Sequence, residues 1–110
     1  MLDGLNTQSL RMATGFSGGL GDSREELCGA LSGGVMVIGA LYGRASLDEE
    51  DEPANRMARQ YRAHFLDAFG HTRCGYLRDE VVNAAGPPNS CADLVEKAAA
   101  ILLELLSEAG

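Results

Sequence analysis

The sequence predicts an all-α fold: a small helical bundle of four main helices with a buried central glycine-rich helix. Three observations predict it. Apolar residues recur at helical spacing in separate segments. Glycine or proline punctuates the ends of those segments. No stretch alternates apolar and polar residues in the manner of a half-buried strand. At 110 residues the chain has the length of one domain, residues 1–110. Hydrophobic residues make up 45%, but aromatics only 5% with no Trp, so the core has to be aliphatic and packed by small residues.

The first helix is expected from about Thr7 to Thr14, with Asn6 or Thr7 as N-cap and Gly15 as exit. The turn after it, Gly15-Phe16-Ser17-Gly18-Gly19-Leu20-Gly21, has the glycine content of a phosphate loop. No strand precedes it and no Lys-Ser/Thr pair follows, so it reads as a tight connection with close backbone contacts. Ser23-Arg24-Glu25-Glu26 has the form of a capping box, which starts the second helix at Ser23 and carries it to Tyr42, with Gly43 as stop. Leu27, Leu31, Val35, Met36, Val37, Ile38 and Leu41 lie all round this helix, so it is expected to be the most buried. The uncharged run Leu27–Gly43 falls at the bottom of the membrane-spanning length range and contains five glycines, so a buried helix is preferred to a span.

The acidic run Asp48-Glu49-Glu50-Asp51-Glu52 reads as a solvated loop leading into a third helix, Pro53 to Phe69, whose positive end it faces. It lacks the alternating ligands and central glycine of a calcium loop. Met57, Tyr61, Phe65, Ala68 and Phe69 form the apolar stripe of that helix, with Arg56, Arg59 and Arg62 mostly off it and Gly70 at its end. A short helical piece is expected around Tyr76 to Val82, and Gly86-Pro87-Pro88 breaks the chain. The last helix opens with Ser90 as N-cap and runs through Leu94, Val95, Ala98, Ile101, Leu102, Leu105 and Leu106. Cys91 lies one turn before Leu94 and Val95 and is expected to point inward with them.

The formal charge is −7, from 16 acidic and 9 basic residues. Such a surface repels phosphate backbones and anionic lipid, so neither nucleic acid nor a membrane is an expected partner. The N-terminus lacks the basic start and apolar stretch of a secretory signal, and a cytoplasmic location is expected. No Ser-His-Asp set, paired-carboxylate site or nucleotide fingerprint supports a hydrolase or dehydrogenase.

Three cysteines, Cys28, Cys74 and Cys91, remain. An odd number is no disulfide framework, and without a CxxC both the thioredoxin dithiol and the zinc ribbon are absent. A thiol in the first turn of a helix meets unpaired amides and the positive end of the dipole, which favour thiolate. Cys91 has such a place, Cys28 lies about a turn further into its helix, and Cys74 follows the third helix beside Arg73. These positions suit metal binding or disulfide exchange alike.

Cys28-Gly29-Ala30-Leu31-Ser32-Gly33 reads as a CGAxxG signature and resembles that of the C_GCAxxG_C_C family of redox-active proteins, with Gly29, Ala30 and Gly33 as motif positions. Leu10 to Gly19 is similar to the family's segment before the signature, Phe65 to Cys74 to the stretch carrying its third cysteine, and Cys91-Ala92-Asp93-Leu94-Val95 to the helix start carrying its fourth. The resemblance implies a helical bundle related to the iron–sulfur module of split-Soret cytochromes. It further implies that Cys28, Cys74 and Cys91 hold an iron–sulfur cluster, [2Fe–2S] in the simplest case, serving electron transfer or redox sensing with an electron partner that the sequence does not name. The family's further cysteine, in an upstream Asn-Cys-Ala-Gln context, has no counterpart here, so the chain is either cut at an internal methionine or a three-cysteine member. His71 is the candidate extra ligand. Losing the family's N-terminal cysteine helix would uncover part of a small core, so a homodimer is expected. The alternatives are a cofactor-free thiol/disulfide protein and a helical interaction module with inert cysteines.

Overall fold

The computed structural model describes residues 7–82 and 91–109. Helix α1 spans Thr7–Ala13 and tightens into a 3₁₀ turn at Thr14–Phe16. Helix α2 spans Gly29–Tyr42, α3 Glu52–Phe69 and α4 Cys74–Tyr76, which continues as a π-helical turn over Leu77–Val82. Helix α5 spans Cys91–Ala109. No strand occurs among the described residues; one isolated antiparallel bridge joins Leu27 to Arg73. Asn6, Ser90 and the Gly86-Pro87-Pro88 break lie outside the described residues.

Helices α2, α3 and α5 pack on one another in all three pairings. Each contributes residues three or four apart to the common core: Leu31, Gly34 and Ile38 from α2, Met57, Tyr61 and Phe65 from α3, and Leu94, Ala98, Leu102, Leu105 and Leu106 from α5. The acidic run stays in solvent, with Glu52 paired to Arg59 at 2.8 Å and Asp51 to Arg44 at 3.7 Å. Gly70 closes α3 at φ +81°, a conformation that glycine adopts without strain, and its amide donates to the Leu66 carbonyl.

Tyr61 fixes how the three helices meet. Its ring is 1% exposed, and its hydroxyl donates towards the carbonyls of Ala30 on α2 (3.2 Å) and Ala98 on α5 (3.4 Å). The ring lies against Gly34, where a Cβ would come within 2.6 Å of Cζ and 2.7 Å of the hydroxyl oxygen. The glycine therefore allows the close approach of α3 to α2.

Two expectations are corrected. The second helix starts at Gly29, not Ser23. Arg24 has φ +65°, and the Ser23 hydroxyl donates to the Gly19 carbonyl and accepts from the Glu25 amide, forming a turn instead of a helix cap. Pairing with Arg73 holds the chain extended through Leu27, and that tertiary contact overrides the local capping signal. Nor is α2 the most buried helix: Val35 and Leu41 are each 39% exposed, whereas α5 buries five side chains. Its apolar residues do lie all round, but α3 and α5 cover one side, and α1, which buries no residue, covers little of the other.

Candidate functional site

The site is assembled by two backbone segments that clamp together. The Cys28 amide donates to the Thr72 carbonyl (2.7 Å) and the Cys74 amide to the Glu26 carbonyl (2.8 Å), flanking the Leu27–Arg73 bridge. Side chains alternate across such a pairing, so Cys28 and Cys74 lie on the face opposite Leu27 and Arg73. They are diagonal neighbours, a geometry that typically separates Cα atoms by about 7–8 Å. Next to this clamp the Gly75 amide donates to the Arg24 carbonyl at 2.8 Å.

The glycine-rich loop covers the clamp. Gly18, Gly19 and Gly21 have positive φ, as do the non-glycine residues Leu20, Asp22 and Arg24. The left-handed region costs an L-residue about 1–2 kcal/mol, so this loop holds strain close to the cysteines. Its internal bonds, from the amides of Gly21 to Gly15, Asp22 to Ser17 and Arg24 to Gly18, hold that shape. At Gly19 (φ +75°) a Cβ would fall 2.6 Å from the Cys74 Cβ and 2.9 Å from the Arg24 Cα, so the backbone there lies directly on the cysteine.

Cys28 is the N-cap residue of α2, Cys74 opens α4, and Cys91 is the first residue of α5. Cys28 is half-buried, Cys74 buried and Cys91 exposed. Cys91 and Val95, the latter 49% exposed, line the same cavity as Leu94, so Cys91 lies on the inward side expected of it but is not enclosed there. All three cysteines nonetheless line one half-open cavity of about 330 Å³. Gly29, Ala30 and Gly33 of the CGAxxG signature line it too, together with Phe16, Leu77 and Leu94 among its apolar walls.

Burial pushes the Cys28 thiol up from its ordinary value. The amides of Ala30 and Leu31 partly offset this, and nearby Cys74 and Cys91 add to it. Neither amide completes a capping hydrogen bond to the sulfur; that of Leu31 donates to the Cys28 carbonyl at 3.0 Å. His71 does not line the cavity. Its Nδ1 accepts from the amides of Thr72 and Arg73, and its ring stacks on Tyr76 at 4.4 Å between centroids. Among the described residues no three His, Cys, Asp or Glu side chains are arranged to hold a single metal ion. The three thiols surround a space and do not converge on one point.

Arg78 was not anticipated from the sequence. It sits four residues after Cys74, so one helical turn brings its guanidinium beside that thiol and into the cavity wall. The Cys74-x-x-x-Arg78 spacing was the available signal, but it required knowing that the segment is helical from Cys74 onward.

Fold and site together define an all-helical thiol protein, with three cysteines at the starts of three helical segments around one cavity. The chain belongs to the family described as Putative redox-active protein (C_GCAxxG_C_C), whose model matches residues 2–105. No curated protein and no solved structure matches it. No helix among the described residues is long and apolar enough to cross a membrane.

Proposed function

We propose that this protein carries or senses electrons through its three cysteines, most simply as ligands of an iron–sulfur cluster. The observation that carries this reading is the shared cavity: cysteines 46 and 17 residues apart in sequence line one space. The donor set suits the group, since thiolates are the usual ligands of iron–sulfur clusters. The three thiols line a space of about 330 Å³, which has room for a polynuclear cluster. A cluster held by Cys28, Cys74 and Cys91 would supply one-electron transfer, with a fourth ligand from outside this trio. The bridge that ties Cys28 to Cys74 fixes two of the ligands, and Arg78 offsets negative charge among the sulfurs.

A second reading, thiol/disulfide exchange without a cofactor, is favoured by the exposure of Cys91, which an attacking or attacked partner can reach. The two readings separate cleanly. Anaerobic purification followed by iron and acid-labile sulfide analysis is expected to find both, with visible absorption that C28S abolishes while its helical circular dichroism is unchanged. Colourless, iron-free protein whose thiols cycle reversibly with oxidant and reductant would establish the second reading instead.

The protein also works, in this account, as a homodimer in a reducing cytoplasm that keeps its thiols free. Leu10 and Met12 of α1, 64% and 67% exposed, border an open apolar groove with Met36, Val37 and Ala40 of α2. Light scattering should report twice the 11.6 kDa chain mass; a stable monomer at micromolar concentration contradicts the dimer.

A further inference from the structure

The charge in the cysteine cavity is distributed unevenly. Among the described residues no acidic side chain lines it, in a chain of net charge −7, and Arg78 is the one cation among those described lining residues. The Arg78 Nε is buried without a hydrogen-bond partner, while the side chain as a whole is 30% exposed. Another part of the guanidinium contacts Cys74, and its outer nitrogen approaches Asp22 only to 3.9 Å, on a carboxylate that is 74% exposed. The pairing with Asp22 is therefore long and solvated, and it leaves positive charge directed into the cavity. The remaining walls are apolar, with Phe16, Leu77, Val82 and Leu94 prominent.

We propose that this cavity is a binding site for a small organic anion, with Arg78 holding the carboxylate and the apolar walls holding its body beside the thiols. A cavity of about 330 Å³ lies at the lower end of small-molecule sites, which limits the ligand to roughly a dozen heavy atoms. The part of the guanidinium that lines the cavity, not the enclosed Nε, offers a carboxylate charged donors. Arg78 is on this account the specificity residue of the site. The inference rests on the second reading above, thiol/disulfide exchange without a cofactor, because a cluster on the three cysteines would fill the same cavity; it adds that reagents reaching the free thiols are selected by charge.

The test is the ratio of two alkylation rates on the reduced, metal-free full chain, mapped to Cys28, Cys74 and Cys91 by mass spectrometry. Iodoacetate is anionic and iodoacetamide neutral. Because both attack the same thiolate, the ratio of their rates cancels the thiol's own ionisation and reports the field of the site. R78Q is expected to lower the iodoacetate-to-iodoacetamide ratio at Cys74 about tenfold, the effect of one partly screened unit charge a few ångströms away. R78K should retain most of the preference. D22N, which frees Arg78 further, should raise the ratio a few-fold, a change that loss of folding would not produce. Butyrate should protect the wild-type thiols from iodoacetamide, and should not protect those of R78Q. An unchanged ratio in both R78Q and D22N, with thiols that still react with iodoacetamide, overturns the anion site alone. Thiols inert to both reagents in native protein but reactive after unfolding overturn the thiol reading and this inference together.

Discussion

Replacing Tyr61 by Phe should weaken the protein at neutral pH and strengthen it at high pH, a reversal that follows from one hydroxyl. At neutral pH the hydroxyl bridges the Ala30 and Ala98 carbonyls, both within helices, so its removal deprives two partners that keep other bonds. The net loss should be about 1 kcal/mol, or about 4–8 °C in Tm for a domain of this size. Burial, with a smaller contribution from the Cys28 charge, pushes the Tyr61 pKa from 10.0 up to about 12. A group whose pKa is raised in the folded state stabilises that state below its unfolded value, and the contribution disappears as pH rises through the folded value. Between pH 10 and about 12 the native chain should therefore lose up to about 2.7 kcal/mol from this residue, at about 1.4 kcal/mol per unit. At pH 11 about half of that is gone, and the wild-type advantage has vanished or reversed. Urea unfolding of wild type and Y61F at pH 7, 9, 10 and 11, with tyrosinate absorbance followed in parallel, measures this directly. A Y61F deficit that stays constant across the series would refute the placement of the hydroxyl in the core.

Gly34→Ala should destabilise by about 1–3 kcal/mol, because its Cβ would meet the Tyr61 ring and hydroxyl; chemical denaturation checks the magnitude, and G34A with Y61F should cost less than the sum. In the reduced, metal-free chain, Cys28 should show an alkylation midpoint above the ordinary thiol value of 9.0, since burial is the largest influence on it. Because that pKa is raised, its contribution to stability is present at neutral pH and lost as pH climbs through the folded value; stopped-flow alkylation against pH reads the midpoint, and one well below 9 would contradict the burial of the thiol.

The helices themselves were legible because their signals are periodic and local. The stripes Met57-Tyr61-Phe65 and Leu94-Ala98-Leu102-Leu105 predict the faces that are buried, and Gly43 and Gly70 end helices as their chemistry suggests. The three cysteines were legible as residues from their contexts. Their arrangement was not, because it depends on contacts between distant segments. A capping box at Ser23 is a sound local signal, but the Leu27–Arg73 bridge competes with it over a separation that no local window contains. The same bridge moves Cys28 from inside its helix to the cap. Arg78 was missed for a related reason: its role depends on a helical turn that begins at Cys74 itself. The exposure of Val35 and Leu41 reflects partners, since an apolar surface all round a helix says nothing about which side finds a neighbour.

The central claim is that Cys28, Cys74 and Cys91 act at one shared site, and a reagent that must bond two sulfurs at once tests it most directly. Phenylarsine oxide, a trivalent arsenical, bridges thiols a few ångströms apart and forms only weak adducts with single ones. Added to the reduced native chain, it should form a tight bridged adduct on two of the three cysteines, mapped by mass spectrometry, which pairwise serine replacement abolishes. Finding only dissociable single-thiol adducts, with Cys28 and Cys74 unlinked in folded protein, would contradict the shared site whatever cofactor the protein binds.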